Sequence, residues 1–193
     1  MLLKECAATI TELLSRIFQH SYDTGSLPED SRIAHVVPIF KKGDRTNREN
    51  YRPVSLMSVS CKVMESIIKD VLVKHLEANK FPCKEQHGFR KGRSCLTNLL
   101  ETLESWAQAL DDGYGLDVVY LDYRKAFDSI PHQRLLEKLK KFGITGKLRS
   151  WLEDILMSRT MTVGVQGAFS QLQAVLSGVP QGSVIIGPLL FLL

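Results

Sequence analysis

Val118-Val-Tyr-Leu-Asp122-Tyr-Arg-Lys-Ala-Phe-Asp128 is the stretch whose reading decides the fold. Leu116 to Leu121 is apolar and rich in β-formers, so it predicts a buried strand that delivers Asp122 to its end. A carboxylate held there suits Mg²⁺, which takes hard oxygen donors and shares them with substrate phosphates. Two-metal phosphoryl transfer needs several carboxylates converging on ions about 3.5–4 Å apart, and one Asp cannot do this alone. The same position also suits an Asp that caps the next helix, and spacing alone leaves both readings open. Asp128 reads as a turn residue ahead of Pro131.

Working outward, helical spacing covers residues 2–18, Cys61 to Leu76 (with Val63, Met64, Ile67, Ile68, Val71 and Leu72 on one face) and Ser94 to Leu110. Further helices fit Pro131 to Phe142 and Lys147 to Leu156, with Gly113 and Gly143 as stops. His35 to Phe40 is short and β-branched and predicts a strand, followed by a polar loop or hairpin tip over Lys41 to Arg52. Met161, Val163 and Val165, then Leu172, Ala174 and Leu176, alternate as a hairpin about Gly167. Helices are grouped early and strict βαβ alternation is absent, which makes the class α+β.

Positive charge is concentrated. The whole chain of 193 residues carries a formal +4, yet residues 32–52 hold six basic side chains against two acidic, and residues 80–93 five against one. Each stretch is therefore +4 by itself, and both read as loops, natural places for phosphate contacts or simply solvated surface. The composition, 44% hydrophobic and 24% charged, argues against disorder. The four Cys are widely spaced, against a disulfide scaffold or a Cys-based zinc site. No leader opens the chain, and no apolar run reaches the length of about 20 residues that spans a bilayer, so no membrane partner is expected. The expected location is intracellular, in nucleus or cytoplasm. The apolar end, Ser183 to Leu193, reads as a buried element that has been cut.

Ser177-Gly-Val-Pro-Gln-Gly-Ser183 is the second sharp segment. Gly178 and Gly182 permit close backbone approach and Pro180 sets the turn. Gln181 presents an amide suited to a base or sugar edge; the alternative is a turn chosen for geometry alone.

These segments, with Val37-Pro-Ile-Phe-Lys-Lys-Gly-Asp44, Asn50-Tyr-Arg-Pro-Val-Ser-Leu56 and Gln86-His-Gly-Phe-Arg-Lys-Gly-Arg-Ser94, occur in an order that resembles reverse transcriptases of non-long-terminal-repeat retrotransposons. The resemblance runs from about residue 27 to the end. It implies RNA-directed DNA polymerisation, a nucleotidyl transfer, on a right-hand fold: an N-terminal helix and turn over residues 1–31, a fingers-like region over 32–112, and a partial palm over 113–193 with an antiparallel sheet packed on helices. By resemblance, Asp122 is the catalytic carboxylate and binds Mg²⁺ (or Mn²⁺), with the Tyr123 carbonyl assisting. Phe127 packs under the incoming sugar and excludes a 2′-OH. Lys41, Lys42 and Arg52 grip the triphosphate, and Gln181 lies near nucleotide and template. Arg90, Lys91 and Arg93, with Gly178 and Gly182, line the RNA template and DNA primer. The partners implied are template, primer and dNTP.

Departures from the family pattern set a further expectation. Its aromatic-x-Asp-Asp hairpin and thumb are not found in these 193 residues. Val184-Ile-Ile186 is one residue longer than usual, and Ser31 stands where the family often has Trp. The isolated chain is therefore expected to be truncated, not to hold its metal ions in catalytic geometry and not to polymerise. The alternatives are a non-catalytic nucleic-acid-binding remnant and a decayed retroelement product.

Overall fold

The computed structural model describes residues 5–122, 126–185 and 189. Helix α1 spans Ala7–Thr24 and stops at Gly25, whose φ of +65° lets its N–H turn back toward Tyr22 and Ser21. A short helix α2, Glu29–Arg32, leads into strand β1, Ile33–Phe40. Strand β2, Tyr51–Leu56, returns antiparallel to β1, so the predicted hairpin tip is found, with Arg52 already inside the second strand.

Helix α3, Val59–Ala78, starts on the Ser58 hydroxyl, which accepts from the Cys61 N–H. It buries Cys61, Met64, Glu65, Ile68, Leu72 and Leu76, a single face at helical spacing. Val63, Ile67 and Val71, expected on that face, remain exposed beside it because the apolar stripe is wider than the contact. Helix α4, Cys95–Asp111, opens with a reciprocal Ser94–Thr97 capping box. It buries none of its residues, and Leu96, Leu99, Leu100, Leu103 and Leu110 are exposed.

Helices α5, His132–Lys141, and α6, Gly146–Met157, complete the helical layer. Leu135, Leu136 and Leu139 of α5 meet Trp151, Leu152, Ile155 and Leu156 of α6 and the inner face of α3. Ile185 and Leu189, from the apolar end of the sequence, lie in the same core. Each such side chain contributes about 1.5–3 kcal/mol by leaving water. Strand β3, Thr160–Val165, turns through Gln166 and Gly167, both at positive φ, into strand β4, Ala168–Phe169. Strand β5, Gln173–Ala174, also pairs with β3, so the predicted hairpin is present.

The sheet order is β2-β1-β3-β4, with β5 on β3. It is mixed, not purely antiparallel: β1 and β3 run parallel, and the long crossover between them carries the helices. A second expectation is corrected here. Residues 116–121 form no strand, and Val119, Tyr120 and Leu121 are 78%, 83% and 84% exposed. A strand exists only where its N–H and C=O groups join a ladder, and no described residue pairs with 116–121. No described helix is long and apolar enough to cross a membrane.

Candidate functional site

The loop over residues 177–183 is bonded to three separate parts of the chain. On one side it docks on the turn after Ala126. Gly178 N–H donates to the Ile130 carbonyl at 2.8 Å and Val179 N–H to the Phe127 carbonyl at 2.7 Å. The Ser177 hydroxyl donates to the Asp128 carbonyl at 3.0 Å, and Nε2 of buried His132 lies 2.7 Å from the Gly178 carbonyl. Gly178 has φ +82°, and a Cβ there would sit 2.6 Å from the Phe127 oxygen, so the approach requires glycine.

On the second side the loop meets the hairpin. Ser55 N–H, in β2, donates to the Gln181 carbonyl at 2.7 Å. Gly182, at φ +117°, leaves space for the Ser55 carbonyl, which a Cβ would approach to 2.5 Å. The third contact is buried. Glu65 in α3, 0% exposed, accepts from the Ser183 hydroxyl at 2.8 Å and the Val184 N–H at 2.7 Å through the same carboxylate oxygen. Its other oxygen faces Nη2 of Arg159, 3% exposed, at 3.4 Å. Burial pulls the Arg159 guanidinium below its ordinary range, and the Glu65 carboxylate opposes that shift. Burial, helped by Glu65, pushes the neighbouring Cys61 thiol up to about 11.

Between loop and sheet lies a cavity of about 350 Å³. Val36, Pro53, Ser55, Asp128, Arg159 and Gln181 contribute to its wall. Val36, Pro53 and Ser55 come from the strands, Asp128 from the turn after Ala126, Arg159 from the junction before β3 and Gln181 from the loop. Phe127 is half-buried against the core beneath the loop. The Phe127 backbone thus adjoins the loop that carries Gly178, Gln181 and Gly182.

The remaining predicted residues stand elsewhere. Lys41 and Lys42 are exposed at the hairpin tip. That tip is braced by Arg45 over the Phe40 ring at 4.9 Å and by the Tyr51 hydroxyl donating to the Arg45 carbonyl at 2.8 Å. Arg52 is opposite Ile39 and shares its exposed face, away from the cavity-lining Pro53 and Ser55. Arg90 is turned inward, its Nη1 donating to the Cys83 carbonyl at 3.0 Å and the Gln86 carbonyl at 3.3 Å. Arg93 pairs with Glu101 of α4, which also meets Nε2 of buried His87 at 3.0 Å. Lys91 is exposed.

Asp122 is exposed in a segment without regular secondary structure. Tyr123 lies outside the described residues. No group of three or more His, Cys, Asp or Glu that could hold a metal ion is found among the described residues. The described donors therefore do not fit a two-metal centre around Asp122.

Sequence reasoning missed Ser55, Glu65, His132 and Arg159. Glu65 carried a signal: it falls on the apolar stripe of Cys61, Ile68 and Leu72, where an unpaired carboxylate would be costly. Arg159 had none beyond its place between α6 and β3.

Comparison with known proteins follows the same motif order. A family model for reverse transcriptase (RNA-dependent DNA polymerase) matches residues 39–193. The chain is 32% identical over 197 aligned positions to a probable RNA-directed DNA polymerase from transposon BS of Drosophila melanogaster, covering 96% of this chain and 21% of that protein. It is 32% identical over 181 positions to the RNA-directed DNA polymerase from mobile element jockey of the same species, covering 93% and 20%. It is 29% identical over 188 positions to a retrovirus-related Pol polyprotein from type-1 retrotransposable element R2 of Popillia japonica, covering 96% and 26%. The chain spans about a fifth to a quarter of the length of these curated relatives. Five motifs in order, a loop that reaches both the Phe127 turn and the hairpin strand, and these matches agree: the chain belongs to the reverse transcriptase family, in its non-long-terminal-repeat retrotransposon branch.

Proposed function

We propose that the chain is the part of an RNA-directed DNA polymerase that engages an RNA template, a DNA primer and the incoming dNTP. The observation that carries this reading is the docking of the Gln181 loop on both the Phe127 turn and Ser55 of the hairpin. That arrangement ties the backbone of Phe127, the proposed sugar-packing residue, to the loop that carries Gln181, the proposed base-reading amide. Residues 32–112 act as a fingers side and residues 113–193 as palm. Lys41, Lys42 and Arg52 supply exposed cations for a triphosphate, and Lys91 contacts backbone phosphates without reading sequence. Arg90 and Arg93 act first on the loop that carries Lys91, since both are engaged within the protein. The location proposed is nucleus or cytoplasm.

Polymerases of this family generally use Mg²⁺. Asp122, with the Tyr123 carbonyl, is the proposed contribution of this chain to that centre. A second reading is nucleic-acid binding without chemistry, in keeping with the lack of a cluster of three or more His, Cys, Asp or Glu that could hold a metal ion among the described residues.

Binding and extension separate the two. A fluorescent RNA template annealed to a recessed DNA primer is titrated with the protein across a salt series, and dNTP incorporation is followed in parallel. Affinity that falls steeply with salt supports engagement of the duplex. Incorporation abolished by Asp122→Ala assigns the chemistry to this chain; binding without incorporation assigns the second reading. Salt-independent or absent binding overturns both.

A further inference from the structure

We infer that Glu65 is a positioning residue for the Gln181 loop, holding the loop's far end through its carboxylate with Arg159 as counter-ion. The inference rests on the reading of Gln181 as a nucleotide- or template-facing residue.

Two anchors define the loop. Its near end, Ser177 to Val179, is bonded to the Phe127–Ile130 turn. Its far end, Ser183 and Val184, is bonded to one oxygen of Glu65 at 2.8 and 2.7 Å. Gln181 lies between the anchors, inside a turn closed by Ser183 N–H donating to the Pro180 carbonyl at 3.1 Å. With both ends and the Gln181 carbonyl held, the side-chain amide is the part left to face a ligand.

Packing alone does not explain an acid at position 65. The position is fully buried between Met64 and Ile68, and an apolar side chain would fit the stripe without desolvating a charge. A buried ion pair is a poor source of net stability, because desolvation offsets the Coulomb attraction. What a carboxylate supplies and an apolar group cannot is a two-bond acceptor for a hydroxyl and a backbone N–H. Charge-assisted bonds of this kind are about twice as strong as neutral ones. Arg159 faces the other carboxylate oxygen at 3.4 Å, and it also lines the cavity that Gln181 lines.

The test uses Glu65→Gln, Ser183→Ala, Ser183→Thr and Gln181→Ala, with the doubles of the first two with Gln181→Ala. Ser183→Ala removes one loop bond and leaves the Glu65–Arg159 pair in place, so it guards against misfolding of Glu65→Gln. Two quantities are read: amide hydrogen exchange at Val184, and affinity for the recessed RNA–DNA duplex with dNTP present. Glu65→Gln and Ser183→Ala are expected to speed Val184 exchange and to weaken binding, each about tenfold, as loss of one charge-assisted bond implies. Ser183→Thr, which keeps the hydroxyl, restores both. If Glu65 acts through Gln181, adding either substitution to Gln181→Ala costs no further affinity. A purely structural Glu65 would give additive losses, and that result overturns the inference, as does unchanged exchange at Val184. If Gln181→Ala binds like the parent, the reading of Gln181 is wrong. Val184 exchange then decides alone, faster exchange supporting the anchor and unchanged exchange overturning it.

Discussion

Ser55 N–H donates to the Gln181 carbonyl at 2.7 Å, which joins a strand of the basic hairpin to a loop from the other end of the sequence. The bond lies beside Gly182, whose missing Cβ admits the Ser55 carbonyl. Hairpin and loop therefore share one geometry, and disturbance of either reaches the cavity between them.

Gly182→Ala should break that relationship. At φ +117° an L side chain is strained, and its Cβ would stand 2.5 Å from the Ser55 oxygen. A loss of about 2 kcal/mol or more is expected in urea unfolding. Gly178→Ala, against the Phe127 carbonyl, should cost a similar amount. Parental denaturation midpoints for both would show that the close approaches are not required.

The buried pair predicts a non-additive cycle. Glu65→Leu alone leaves the Arg159 charge buried without its carboxylate and should cost about 3–5 kcal/mol. Arg159→Met added to it should recover the part due to the unpaired charge, while the loss of the Ser183 and Val184 bonds to Glu65 remains. Additive destabilisation across the double-mutant cycle would contradict the pairing.

Cysteine labelling tests the burial of α3. The Cys61 thiol, pushed up to about 11, remains protonated and covered at pH 8, whereas Cys83 and Cys95 are exposed. Iodoacetamide at pH 8 followed by peptide mass analysis should modify Cys83 and Cys95 in the native protein and spare Cys61 until it is unfolded. Equal labelling of all three in the native state would refute the packing.

Acid should loosen the link between the residue 81–93 loop and α4. Desolvation pushes the Glu101 carboxyl up, but hydrogen bonds from Arg93 and His87 outweigh it and hold the group below its ordinary value of 4.5. A depressed folded value means that the contribution is present above pH 4.5 and is lost as pH falls through the lower, folded value. Limited proteolysis in the loop should rise over that interval, and Glu101→Gln should remove the pH dependence. Constant cleavage through the same interval would exclude this tie.

Among the basic residues, Lys91 and Arg90 should behave differently. Lys91→Ala should lower the salt slope of duplex binding by about one counterion with little change in folding. Arg90→Ala should instead expose the loop to protease, because its guanidinium holds the Cys83 and Gln86 carbonyls. Identical effects from the two would erase the distinction.

Much was legible because it was local or ordered along the chain. The apolar periods of α3, α5 and α6, the helical spacing from Ser94 and the Gly167 turn report the backbone's own preferences. The motif order from Val37 to Ser183 determined the family, and the glycines of the 177–183 loop announced close backbone approach before any neighbour was known. The strand expected over residues 116–121 failed for the opposite reason. Apolar, β-rich composition reports suitability for a sheet, whereas a strand exists where another edge has free donors and acceptors.

By itself, then, the sequence determined the helices, the hairpins, the location of the charge and the identity of the loop. Only the tertiary structure decided what the loop is bonded to. It selected Ser55, the Phe127 turn and Glu65, joined β1 to β3 in parallel, and left Asp122 and Arg52 outside the cavity. The physical reason is range. Helix and turn propensities act over a few neighbouring residues, while a buried carboxylate finds its N–H, hydroxyl and guanidinium partners only when distant segments have packed together.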